Sequence, residues 1–181
     1  IYELGDYFPD IEKFKKVLKE FIVKSGCNKI EIKGINSAWG LSLHDGVVIS
    51  DKIGDVSLSY ALYIIFHEIA HQYQYKKYGR DYVYQLYLNE LDIEDATKLL
   101  RNIETVADEF ALRKCRELIK LGHIDGEGLP SKGYYKNIKD ITLKIGLIRF
   151  RNLMKSKKVT DKERISEIIY NYIVNIDDGD E

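Results

Sequence analysis

The sequence predicts an α+β protein, a small, mostly antiparallel sheet packed on a predominantly helical body. Three observations predict it. Apolar residues recur at helical spacing over several long segments. Three short segments between residues 29 and 50 read as strands, with a turn signal between two of them. Composition is that of a soluble globular chain, with 45% hydrophobic and 31% charged residues among 181. That length suits one domain. It is expected over 1–176, with a core at about 28–122, a C-terminal helical part at about 131–175 and an acidic, disordered tail at 177–181.

Asp10 to Lys24 reads as a packing helix, with Ile11, Phe14, Val17, Leu18, Phe21 and Ile22 on one stripe and Gly26 at the C-terminal cap. Lys29–Lys33, Ala38–Leu43 and Val47–Ser50 are the strands. Asp45-Gly46 is the hairpin signal between the last two, and His44 is a turn residue beside it. Ser57 caps a helix that runs to about Tyr78 and closes at Gly79. Six tyrosines between Tyr73 and Tyr87 suggest a half-buried surface. Asp92 caps a further helix to about Leu121, with a break expected near Asn102. Glycines and Pro130 mark a loop over 123–133. Tyr134–Lys155 reads as one helix with Ile138, Ile141, Ile145 and Ile148 at helical spacing, and Thr160-x-x-Glu163 as a capping box for a last helix.

The chain is organised around Phe66-His67-Glu68-Ile69-Ala70-His71. On a helix, His67 and His71 share a face one turn apart, so both rings can reach one zinc ion. Glu68 sits beside that face, where it can take a proton from a zinc-bound water. A third ligand must come from elsewhere, and Glu104 in Ile103-Glu104-Thr105-Val106-Ala107-Asp108 is the candidate. Asp108 lies one turn on. It is expected to accept the free ring N–H of a ligating histidine. Two histidines, one glutamate and a water would make a catalytic rather than a structural site.

His67-Glu68-x-x-His71 followed by Glu104-x-x-Ala107-Asp108-x-Phe110-Ala111 resembles the gluzincin metallopeptidases, and in form the ImmA/IrrE-type peptidases, although Ala70 stands where the latter usually carry glycine. The resemblance covers roughly Trp39–Leu118. It implies a zincin-like fold with an active-site helix and a Glu-bearing helix. It implies His67, His71 and Glu104 as zinc ligands, Glu68 as general base and Asp108 as the brace of a histidine. It also implies an oxyanion-stabilising Tyr or His, for which His123, Tyr134 and Tyr135 are candidates because they lie in and just after the loop past the Glu104 helix.

The expected function is zinc-dependent hydrolysis of a peptide or protein substrate by a metal-activated water. The alternative is a catalytically inactive or latent regulatory protein that keeps the metal. A net charge of −1 gives no field for nucleic acid or an anionic membrane. The apolar run Leu58–Ile69 is too short and too polar to cross a bilayer. Cys27 and Cys115 are too few for a disulfide framework, which suggests reduced thiols and a cytoplasmic setting. The basic run from Lys144 to Arg164 reads as a solvated face. Substrate identity and oligomeric state are not encoded in any of these features.

Overall fold

The computed structural model describes residues 7–27, 29–35, 38–43, 46–159, 161 and 164–175. The acidic tail, His44, Asp45, the Thr160 and Glu163 cap and the side chains of Ile11 and Phe14 lie outside the described residues.

The chain is mostly helical with one three-stranded sheet. A 3-10 helix (Pro9–Phe14) leads into α1 (Lys15–Ser25). The first turns are thus tighter than the single α-helix expected there, and the described part of the stripe faces the core. Leu18 is buried, and Val17, Phe21 and Ile22 pack on the core. Strands β1 (Ile30–Lys33), β2 (Gly40–Ser42) and β3 (Val47–Ser50) follow. The expected sheet needs correction. Its order is β1-β3-β2, with β2 antiparallel to β3 but β1 parallel to it, so the sheet is mixed. All four residues of β3 are buried, as a central strand requires.

β2 is an edge strand, and its phase is fixed. Ser50 N–H donates to Trp39 O and Leu43 N–H donates to Gly46 O. Alternation along the strand then turns the main-chain groups of residues 39, 41 and 43 toward β3. Those of Gly40 and Ser42 face outward.

Helix α2 (Leu58–Tyr78) starts at Ser57, whose side chain accepts the Tyr60 N–H, and ends at Gly79 with φ 79°. A short α3 (Asp81–Tyr84) turns the chain. Helix α4 (Ile93–Lys120) is capped by Asp92 and runs unbroken through Asn102. α2 and α4 pack antiparallel along their length. Tyr63 meets Asp108, His67 meets Glu104 and Gln74 meets Ile103. Ala107 and Ala111 are fully buried, and their small side chains let the helices approach.

The helix expected over Tyr134–Lys155 is two helices, α5 (Tyr134–Asn137) and α6 (Asp140–Ser156). The break has a tertiary cause. Arg101 Nη1 on α4 donates to the carbonyls of Tyr135 (2.7 Å) and Lys136 (3.1 Å), the acceptors a continuous helix would use. The isoleucine stripe is also not the packed one. Ile141, Ile145 and Ile148 are exposed, and α6 buries Leu143, Leu147, Arg151 and Met154 instead. Helix α7 (Ile165–Asn175) closes the fold.

Two clusters form the interior. One joins α1, β3, α2 and the C-terminal half of α4. The other joins α3, the N-terminal half of α4, α6 and α7. The connection after α4 is pinned to the start of α2. Ser57 Oγ donates to Glu127 O (2.6 Å), Ser59 Oγ donates to Asp125 Oδ1 (3.2 Å), and Gly126 N–H donates to Ser59 Oγ (2.9 Å). No helix among the described residues is long and apolar enough to cross a membrane. Cys27 and Cys115 are buried and are not joined in a disulfide.

Candidate metal centre

His67 and His71 occupy one face of α2, and Glu104 reaches them from α4. His67 Nε2 and Glu104 Oε2 are 2.9 Å apart, His71 Nε2 and Glu104 Oε1 3.4 Å, and the two Nε2 atoms 3.2 Å. A tetrahedral ion with bonds of about 2.0–2.2 Å separates its ligand atoms by about 3.3–3.5 Å. The observed separations involve both Glu104 oxygens and the 2.9 Å one is shorter than such an edge, and the three residues are close enough to hold one metal ion. The donor set, two imidazole nitrogens and a carboxylate, suits a borderline divalent ion and not a hard oxygen-seeking one.

The electrostatics bind the cluster together. Burial opposes charge on the His71 ring, but the Glu104 carboxylate outweighs it and holds the imidazole up to about 9. Burial works against the Glu104 carboxylate too, and the facing imidazoles hold it well below the usual range. Glu68 lines the same cavity. Burial raises its carboxyl above the ordinary 4.5, against the two imidazoles and a hydrogen bond from the Ser42 backbone N–H. A carboxyl moved toward neutrality is better matched to accepting and returning a proton.

Gly40 leaves the space that the Glu68 side chain occupies. A Cβ at this position would sit 2.9 Å from Glu68 Cγ and 3.2 Å from Ile49 Cδ1. Gly40→Ala is therefore expected to push the Glu68 side chain aside and lower the melting temperature by about a few degrees, read by thermal unfolding.

Asp108 does not make the contact expected of it. It is buried, and its Oδ1 accepts the Tyr63 hydroxyl. His67 Nδ1 is buried without a hydrogen-bond partner. The brace that does appear is Gln74. Its Oε1 lies 2.8 Å from His71 Nδ1, and its Nε2 donates to Ile103 O on α4 (3.0 Å). In the neutral ring this contact keeps the proton on Nδ1 and leaves Nε2 as the nitrogen facing Glu104. The spacing His71-x-x-Gln74 was visible in the sequence, where the surrounding tyrosines masked it. Gln74→Leu is expected to weaken metal affinity by about tenfold to a hundredfold, measured by competition against a chromophoric chelator.

Of the three oxyanion candidates, two reach the cavity. The Tyr135 ring stacks on His67 with centroids 5.7 Å apart, and Tyr134 lies beside it. Burial and the nearby carboxylates, Glu104 foremost, raise the Tyr135 hydroxyl, so it remains a proton donor. His123 is not among the residues lining the cavity. Arg101, which the sequence reading did not single out, sets the Tyr135 backbone through the two carbonyl contacts described above.

No protein-family model matches the chain. No curated protein and no solved structure matches it significantly either.

The cavity has a volume of about 760 Å³. It runs along α2 with the His67–Glu68–His71 turn in its middle. Trp39, Tyr60, Tyr134 and Tyr135 lie toward one end, and Tyr75, Leu86 and Leu100 toward the other. One wall is β2, from Trp39 to Ser42, with the outward main-chain groups of Gly40.

Proposed function

We propose that this protein hydrolyses peptide bonds at a zinc ion held by His67, His71 and Glu104, with Glu68 as general base, in a zincin-like arrangement of active-site helix and Glu-bearing helix. The observation that carries the reading is the convergence of two Nε2 atoms and one carboxylate on a single point in a cavity that Glu68 also lines. When bound, the ion would supply a water acidified to a pKa near 7 and polarise the carbonyl under attack. Glu68 accepts the proton from the attacking water and returns it to the leaving amine. The outward N–H and C=O of Gly40 are placed to hydrogen-bond an extended substrate, which adds a strand to the β2 edge. Tyr135, kept protonated, supplies a donor near the developing oxyanion.

The test is cleavage of a broad peptide library by the zinc-loaded chain. Cleavage at discrete sites, abolished by chelator and restored by zinc, supports the reading. An intact library, with one zinc bound per chain, overturns it. One observation favours the alternative, a regulatory protein that holds zinc without turnover. His67 Nδ1 lacks the carboxylate partner that would raise the basicity of the ring.

A further inference from the structure

Helix α6 has two apolar faces, and only one of them is packed. Leu143, Leu147 and Met154 are buried on the first, together with Arg151. On the second, Ile141, Ile145 and Ile148 are 59%, 53% and 46% exposed. Single exposed isoleucines are ordinary, but three in line on one helix form a continuous apolar ridge. Asn152, also exposed, extends the line. Its members are four, three and four residues apart, the alternation of d and a positions in a heptad.

Basic groups frame the ridge. Lys144 and Arg149 flank it at the g and e positions, one on each side. From Asp140 to Lys158 there are six basic residues and one acidic. Asp140 is taken by Arg101, and Lys144 is held by Glu94 of α4. Arg149, Lys155, Lys157 and Lys158 are exposed and enter no ion pair among the described residues.

Width and charge together select the occupant. At about 100° per residue the ridge is only about 60° wide. A helix lying in a membrane surface buries a broader apolar face, whereas a narrow a/d line is the seam for one partner helix. Asn152 suits such a seam, where a polar side chain at an a position fixes register. A second copy of α6 is a poor match. Parallel pairing would set Lys144 against Arg149, and antiparallel pairing would set each against its own kind. The acidic residues 177–181 include no apolar side chain to cover the ridge.

We propose that α6 is a docking helix for an acidic amphipathic helix of a partner protein, with apolar residues at a and d and carboxylates at e and g. Ile141, Ile145 and Ile148 form the seam. Arg149 and the lysines at 155, 157 and 158 face the partner's carboxylates. The ridge lies opposite Leu143, the α6 residue that lines the metal cavity, so the inference does not depend on the zinc reading.

The probes are three fluorescein-labelled peptides as long as α6, 17 residues. All carry leucine at a and d and one asparagine to meet Asn152. They differ in having Glu, Gln or Lys at e and g. Each is titrated with the full chain and followed by anisotropy. The Glu peptide is expected to bind about tenfold tighter than the Gln peptide, with the Lys peptide weakest, and added salt should narrow the gap. Ile145→Ser combined with Ile148→Ser is expected to weaken the Glu peptide by about tenfold or more, with an unchanged melting temperature because both side chains are exposed. Arg149→Glu, a second variant that leaves the seam intact, should remove most of the preference for Glu over Lys. Absence of binding, equal binding of the three peptides, or wild-type behaviour of both variants would overturn the proposal. Two further results would overturn it in favour of another occupant. One is co-sedimentation with phosphatidylcholine–phosphatidylglycerol vesicles that the double serine variant abolishes, which assigns the ridge to a membrane. The other is a dimer in analytical ultracentrifugation that the same variant dissociates, which assigns it to a second copy.

Discussion

Glu104→Ala is expected to lower zinc affinity by more than about a hundredfold, a larger loss than removal of an outer partner brings, and to abolish hydrolysis. The carboxylate spans both imidazoles, with one oxygen 2.9 Å from His67 Nε2 and the other 3.4 Å from His71 Nε2. Its removal leaves two nitrogens one helical turn apart, which is too few ligands for a closed set. Elemental analysis after dialysis reads the metal directly. One zinc per chain retained with wild-type affinity would move the third ligand elsewhere.

The same variant has a signature in the metal-free protein. The His71 imidazole is held up to about 9 because Glu104 outweighs the burial that opposes its charge. A group raised on folding contributes stability that is fully present below its unfolded value, here 6.5, and is lost as pH climbs through its folded value. Metal-free wild type is therefore expected to lose stability between about pH 6.5 and 9. Glu104→Ala should show a shallower slope, because the foremost cause that raises the imidazole has gone and only Glu68 and Gln74 remain. Denaturant midpoints at several pH values, with chelator present, decide it.

Glu68→Gln is the complementary case. The amide keeps the shape of the carboxylate and cannot take a proton. Zinc content should stay near wild type while kcat falls by about 10²- to 10⁴-fold, the usual range for loss of a general base. Retained activity would remove Glu68 from the chemistry. Loss of zinc together with activity would make it a determinant of the site's architecture instead.

Local signals carried much of this molecule. Ser57 with Gly79 and Asp92 with Gly122 delimited the two long helices, because caps and left-handed glycines act within a few residues. Glu104 was legible for a related reason, since Val106, Ala107, Phe110 and Ala111 interrupt an otherwise charged helix face and mark part of it as buried. What sequence did not carry was set by distant partners. β1 pairs parallel to β3 across a connection no local turn dictates. Arg101 breaks the 134–156 helix from another element, with no proline or glycine at the break. The exposed isoleucines of α6 have correct helical spacing, but the leucine face won the packing against α4 and α7. Asp108 went to Tyr63 and left His67 Nδ1 without a partner, while Gln74 took the His71 ring, a choice between buried acceptors that only the fold makes.

The strap between α4 and α5 is anchored at two places. Ser57 and Ser59 hold its middle at residues 125–127, and Arg101 holds its exit at Tyr135 and Lys136. Pro130, between the anchors, lines the cavity. The ordering cost of this wall is met when the chain folds and not when a ligand arrives. Association should then resemble docking to a rigid receptor. On-rates would vary little among ligands that differ widely in residence time, and the amide of Gly126 should exchange with solvent as slowly as those of the helix that anchors it.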